Sequence, residues 1–224
     1  MNNTLQLKEI GIEDIEDILF RIEQSYGFKF RENELKDVGT FGELCDIILT
    51  KIQGDDANDC TTQQAFYKLQ NAIASALQIN KRNIQTSTDL QILFPKINRR
   101  KNIKLINSEL GFKVKILRPK QWIATTLVLT LFISLVLFII SWKIALLGLI
   151  LSIVGINLAD RLGSEFDLQN IGQVAEKISR EHYVKVRRNS STVNRNEVIQ
   201  KIKELFKKDL DLDEMILERE TSLR

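Results

Sequence analysis

The sequence predicts an all-α protein in which amphipathic helices flank a two-helix transmembrane hairpin. Three observations carry this. From Trp122 to Ala159 the one charged residue is Lys143. The chain of 224 residues holds only 2 prolines and 10 glycines, and runs of alternating β-branched residues are scarce, so little sheet is expected. Elsewhere apolar residues recur three and four apart against a charged background, the period of a helix with one buried face.

In chain order, Ile12, Ile15, Ile18, Leu19, Ile22 and Tyr26 form one stripe of a helix over residues 12–26. Glu13, Asp14, Glu16, Asp17, Arg21 and Glu23 take its other face, and Gly27 suits its C-terminal cap. After a linker from Phe28 to Gly39, Thr40 and Glu43 have the spacing of a capping box, in which hydroxyl and carboxylate each satisfy a free amide. The helix they start turns Phe41, Leu44, Cys45, Ile48 and Ile52 inward. Gly54 to Cys60 reads as a polar linker. Thr61 and Gln64 read as a second capping box, ahead of the stripe Phe66, Leu69, Ile73 and Leu77. A loop leads to Pro95, residues 97–110 are expected to be helical though basic, and Gly111 and Pro119 end structure before the apolar stretch.

The first apolar run, Trp122 to Ile140, reaches about 28 Å at the helical rise, close to the hydrocarbon thickness of a bilayer. The second, Ile144 to Ala159, reaches about 24 Å and needs tilt or local thinning. Ser141, Trp142 and Lys143 read as the turn. Thr126, Thr130 and Ser134 fall four apart on the first helix, and Gly148, Ser152 and Gly155 share a face of the second. Small residues so placed let helices approach closely, so packing within the hairpin is their expected role. The spans hold no acid or His, which leaves an ion path without support.

Before the hairpin come nine basic residues from Lys96 to Lys120, with Glu109 the one acid among them. The positive-inside rule then places both flanks and both termini in the cytoplasm. Arg99, Arg100, Lys101, Lys104, Arg118 and Lys120 form the expected surface for anionic headgroups, which makes membrane lipid the expected partner. The net charge is only +3 and no aromatics are interleaved for base stacking, so nucleic acid is not expected.

Beyond the hairpin, Asn170 and Gln173 read as a cap for a helix that turns Ile171, Val174, Ala175 and Ile178 inward. A loop rich in Ser, Asn and Arg covers 187–196. Asn194 and Glu197 then cap a last helix with the stripe Val198, Ile199, Ile202, Leu205, Phe206 and Leu210. Met1 to Ile10 lack the basic start and apolar run of a signal peptide, so the first span is the expected insertion signal. Cys45 and Cys60 have no CxxC spacing, and the single His182 has no paired ligand. Neither a metal, a cofactor nor Cys–His catalysis is expected, no triad stands out, and the chain reads as a non-enzyme. Free thiols fit a reducing cytoplasm.

Two stretches read alike. Thr40-Phe41-Gly42-Glu43-Leu44 matches Asn170-Ile171-Gly172-Gln173-Val174, and Ile84 to Thr88 with Leu90 matches Leu217 to Thr221 with Leu223. Tyr26-Gly27-Phe28-Lys29-Phe30 likewise matches Leu110-Gly111-Phe112-Lys113-Val114. In consistent order these matches suggest one helical unit used twice, with the hairpin inserted into the second copy. The segments are then 1–53, completed by 195–224; 54–121 with its basic juxtamembrane end; the hairpin 122–160; and C-terminal helices over 161–224.

The unit resembles an acyl carrier protein. Ile18 to Ile52, with its YGFKF and ELKDVGTFGELCDII runs, is similar to the second to fourth helices of that family. Val198 to Leu223 and Phe66 to Leu90 are similar to its first helix and the loop after it. The resemblance implies acyl-carrier-like helical bundle units, with residues 195–210 packed on the helices of 12–52. It implies that Glu13, Asp14, Glu16 and Asp17 dock a basic partner such as a lipid- or acyl-chain-processing enzyme. The family carries phosphopantetheine on the serine of an Asp-Ser-Leu motif. That position falls on Ile12 between Gly11 and Glu13, and Leu93 to Asn98 in the second copy hold no serine, so the group is not expected. Two readings result. One is a membrane-anchored carrier-like binding or adaptor protein. The other is a structural or regulatory membrane protein whose basic flank binds anionic lipid.

Overall fold

The structure, a computed structural model, describes residues 12–139, 141–210 and 217–223. Met1 to Ile10, Ile140 at the end of the first apolar run and residues 211–216 of the C-terminal run lie outside these. The protein is mostly helical. In chain order come α1 (Ile12–Tyr26), α2 (Phe41–Lys51), β1 (Asp55–Asp56), α3 (Thr61–Leu77), α4 (Leu90–Leu93), α5 (Arg99–Leu110), β2 (Leu117–Arg118) and α6 (Gln121–Leu137). There follow α7 (Trp142–Leu162), β3 (Glu165–Phe166), α8 (Ile171–Glu181), α9 (Tyr183–Val186), β4 (Thr192–Val193) and α10 (Arg195–Asp209). The chain forms two compact units, one drawing on residues up to Gln70 and from Ala175 onward, the other on Asn71–Val174. The divisions fall inside α3 and inside α8. The linker at 54–60 lies within the first unit, where β1 pairs in parallel with β4.

In the first unit α10 packs on α1 and α2, and α9 packs on α1. Ile18, Ile22, Leu44, Ile48, Val198 and Phe206 are all but fully buried there. Phe41 meets Phe206 edge to face at 5.4 Å. The capping box of α2 forms in full, with Glu43 N donating to Thr40 Oγ1 (3.3 Å) and Thr40 N to the Glu43 carboxylate (3.1 Å). Gly27, at φ +74°, closes α1 by donating to Glu23 O (2.9 Å).

The box read at Thr61 and Gln64 does not form. Thr61 is the first residue of α3, and its amide donates to the Glu197 carboxylate (2.9 Å). Gln64 donates its side-chain amide to Asp59 instead. The Glu197 carboxylate takes the Thr61 amide that the Gln64 side-chain carbonyl would have capped, favoured by its charge and by the helix dipole, and the Thr61 hydroxyl accepts from Arg187. Asn194 does cap α10, accepting from Glu197 N (3.0 Å).

In the second unit Ile73, Ile84, Leu90, Phe94 and Ile171 are buried, as are Ile103, Ile106 and Leu110 on one face of α5. The short α4, in a stretch read as loop, is started by Asp89, whose carboxylate accepts from Gln91 N and Ile92 N. β2 pairs antiparallel with β3, Arg118 opposite Glu165, so the strands on either side of α6 and α7 are tied together. These two helices lie along each other. Their lengths reverse the expectation. α6 has 17 residues and stops at Leu137, because the connection takes up Phe138 and Ile139 as turn. α7 has 21 residues and runs through Asp160 and Arg161 to Leu162, where Gly163 caps it. Trp142 and Lys143 therefore sit in the first turn of α7 and not in the connection.

One arrangement occurs in both units. In the first, Phe41 N donates to Thr221 O (2.9 Å), Gly42 N to Arg219 O (2.8 Å), Leu223 N to Gly39 O (2.9 Å), and Glu218 N to Thr221 Oγ1 (2.9 Å). In the second, Ile171 N donates to Thr88 O (3.1 Å), Gly172 N to Thr86 O (2.8 Å), Leu90 N to Gln169 O (2.9 Å), and Gln85 N to Thr88 Oγ1 (2.8 Å). The partners match position for position. A Cβ at Gly42 would stand 2.9 Å from Arg219 O, and one at Gly172 would stand 3.1 Å from Thr86 O. We expect Gly42→Ala to cost about 1–3 kcal/mol and Gly172→Ala less, read as thermal unfolding in detergent. An unchanged Tm for Gly42→Ala would remove the steric argument.

Candidate functional site

The acidic set on α1 faces outward. Glu13, Asp14, Glu16 and Asp17 are all exposed, and Phe20, one turn after Glu16, is 58% exposed on the same helix. Arg21 pairs with Asp209 (3.1 Å) at the end of this face, and Glu23 is used internally, accepting from Phe30 N (2.6 Å). The surface is therefore anionic with one projecting aromatic ring.

The basic set is divided by the structure. Arg99 is not a surface residue. It is 1% exposed, its Nε donates to Phe94 O (2.9 Å), its Nη1 donates to Ser164 O (2.6 Å), and its guanidinium lies over the Phe166 ring at 4.3 Å. The helical stripe of α5 puts it beside Ile103 and Ile106, and two backbone carbonyls replace the water it loses. Arg100, Lys101, Lys104, Arg118 and Lys120 are exposed. Three of these, Arg100, Lys101 and Lys104, line a cleft of about 770 Å3 together with Lys113 and Arg161. Asp160 is the acid in its lining, and Ile103, Phe112 and Leu117 supply apolar surface. Sequence reading missed this grouping because Arg161 comes from the far side of the apolar stretch. Lys120 instead lines a smaller groove along α6 and α7.

Within the helix pair, Ser134 and Ser152 are buried, and Ser152 Oγ donates to Thr130 Oγ1 (3.3 Å) across the interface. Gly148 lies against Ser134, and a Cβ at Gly155 would stand 2.7 Å from Leu127 Cδ2. Thr126 is exposed, and its hydroxyl returns to Trp122 O (2.7 Å). The larger Leu127, one residue on, is the α6 side chain that meets Gly155.

A polar cluster that sequence reading missed lies in the first unit. Buried Arg187 donates to Thr61 Oγ1 (2.8 Å), Tyr183 OH (3.2 Å) and Thr192 Oγ1 (2.8 Å), and pairs with Asp59. Tyr183 lies against Tyr26, ring centroids 4.9 Å apart and planes tilted by 35°. Burial, with Tyr183 adjoining, pushes the Tyr26 phenol well above its ordinary pKa. The cluster joins the 54–60 linker, the start of α3, α9 and β4. An Arg in a loop rich in Ser and Asn gave no sign of burial.

Burial pushes the Cys45 thiol up to about 12, while Cys60 is exposed. Among the described residues no group of three or more His, Cys, Asp and Glu side chains could hold a metal ion. Compared with protein-family models, with curated proteins and with solved structures, the chain has no match.

Two outcomes are expected from this geometry. A maleimide should label Cys60 alone in the native protein, with Cys45 reacting only after unfolding, as read by mass spectrometry of digested peptides. Arg99→Ala should lower stability by about 2–4 kcal/mol, since two carbonyls lose their donor, whereas Lys101→Ala should change it by no more than about 0.5 kcal/mol. Equal effects on Tm would contradict the burial of Arg99.

Proposed function

We propose that this protein is a membrane-anchored, carrier-like adaptor, held in the bilayer by α6 and α7 and docking a partner at the cytoplasmic face. One observation carries the anchoring. The most apolar window of α7 has a mean hydropathy of 1.9, and only 11% of it is buried. A core helix of a soluble protein with that composition would be covered. Leaving such surface in water costs about 25 cal/mol per Å2, and lipid removes that cost. α7 alone, at about 32 Å, is long enough by itself to cross. α6 reaches about 26 Å and crosses with local thinning. Trp122 and Trp142, both exposed, stand near opposite ends of the pair, where interfacial aromatics are favoured. The basic flank against the lone Lys143 supports cytoplasmic termini.

The carrier-like part rests on the resemblance, and the loop-to-helix arrangement found in both units supports a duplicated unit. No serine is available in Leu93 to Asn98, so the reading is of binding without phosphopantetheine. The exposed acids of α1 with Phe20 suit a basic partner with an apolar spot, such as a lipid- or acyl-chain-processing enzyme. A second reading, regulation through anionic lipid, is favoured by the cationic cleft.

Two measurements test this. Affinity purification in mild detergent should recover a partner that is lost when Glu13, Asp14, Glu16 and Asp17 are changed to Lys; identical recovery by both forms would sink the docking role. In intact cells an impermeant maleimide should label Lys143→Cys and spare Cys60. Labelling of Cys60 with Lys143→Cys spared would reverse the topology.

A further inference from the structure

We infer that the cleft beside α5 binds the phosphate-bearing headgroup of an anionic phospholipid, with an acyl chain of the same lipid along the groove between α6 and α7. This rests on the reading of those helices as membrane-spanning. Arg100, Lys101 and Lys104 come from α5, Lys113 from the segment after it, and Arg161 from the last turn of α7. Five cations face one carboxylate, Asp160, within a concavity of about 770 Å3. Like charges gathered against low-dielectric walls focus a positive potential that an open surface would disperse. Arg offers a planar fork to two phosphate oxygens, and Lys adds point charge.

The second groove, about 360 Å3, is lined by Ile123, Leu127, Gly155 and Leu158, and its lining shares Gly163 with that of the cleft. A cationic cavity and an apolar one that share a lining residue match the two halves of a lipid. Position argues for a lipid over a soluble anion. Arg161 stands one turn beyond the exposed Leu158, at the level where headgroups cover the end of a span. Ile97, 94% exposed just ahead of α5, adds a side chain suited to the acyl boundary.

The test uses the full chain. Alkaline extraction of membranes is done first, and release of the protein there would overturn the anchoring reading and this proposal with it. The retained protein, purified in mild detergent, is titrated with phosphatidylglycerol, phosphatidylcholine and inorganic phosphate, and bound molecules are counted by native mass spectrometry. Phosphatidylglycerol is expected to bind more tightly than phosphatidylcholine. Arg100→Gln, Lys104→Gln and Arg161→Gln together should weaken it on the order of a hundredfold, at about fivefold per basic side chain. Lys101→Gln with Lys104→Gln, both at exposed positions, should weaken it roughly twentyfold and guards against misfolding of the triple variant. Lys36→Gln, Arg82→Gln and Lys208→Gln, which remove the same charge elsewhere, should leave it unchanged. Equal weakening by that control would assign the binding to diffuse charge. Inorganic phosphate competing as well as the lipid would assign the cleft to a soluble anion. Either result overturns the proposal while leaving the membrane anchor standing.

Discussion

The free amides at the starts of α2 and α8 impose the constraint on which both units depend. A helix start exposes amides that its own carbonyls cannot reach, and in a packed unit each needs a partner. In the first unit Thr221 O, Arg219 O and Thr40 Oγ1 take the amides of Phe41, Gly42 and Glu43. In the second, Thr88 O, Thr86 O and Asn170 Oδ1 take those of Ile171, Gly172 and Gln173. Two of three acceptors in each case are backbone atoms from a loop far away in sequence. Pairing thus fixes the helix and the loop together, and the loop's inward Leu217 or Ile84 is buried beside them. The need for close approach is what makes the residue after the first helical position glycine in both.

Buried cations do similar work elsewhere in the fold. Arg99 holds Phe94 O and Ser164 O, and Arg187 holds Thr61, Tyr183, Thr192 and Asp59. Each gathers several segments of irregular chain within its own unit. A guanidinium has five donors in a rigid plane, so one side chain can satisfy acceptors that would otherwise each need a water. The arrangement is vulnerable in the same measure, because loss of the cation strands every acceptor at once.

The periodic features were legible. The stripes of α1, α2 and α10, the box at Thr40 and Glu43, the glycine stops at Gly27 and Gly111, and the apolar pair were all set by local pattern. What escaped was set by contacts from afar. Arg99 reads as one more base in a basic run, and only the return of the chain at Ser164 to Phe166 makes its site a buried one. Thr61 and Gln64 have the spacing of a box, but a carboxylate from α10 arrives first. The ends of α6 and α7 were misjudged because charge does not stop a helix, whereas a connection must consume residues. Of the candidate site, the cations of α5 were visible and the cleft was not, since Lys113 and Arg161 flank the apolar stretch on opposite sides.

That apolar stretch raises a physical question, namely how a small unit tolerates a long excursion of its chain. The matching connection of the first unit, Phe28 to Gly39, is a short linker. In the second unit the chain leaves after Phe112 and returns at Asn170. Closing a longer loop costs entropy that grows only with the logarithm of its length, so length alone is a minor penalty. The larger risk is that the excursion pulls the ends apart. Here the ends are fastened where they leave and re-enter. β2 pairs with β3, Asp167 N donates to Ile116 O (3.4 Å), and Arg99 reaches across to Ser164 O. With its ends held, the excursion is closed before α6 begins. The helix pair can then extend from the unit without pulling on the buried Ile84, Leu90 and Ile171.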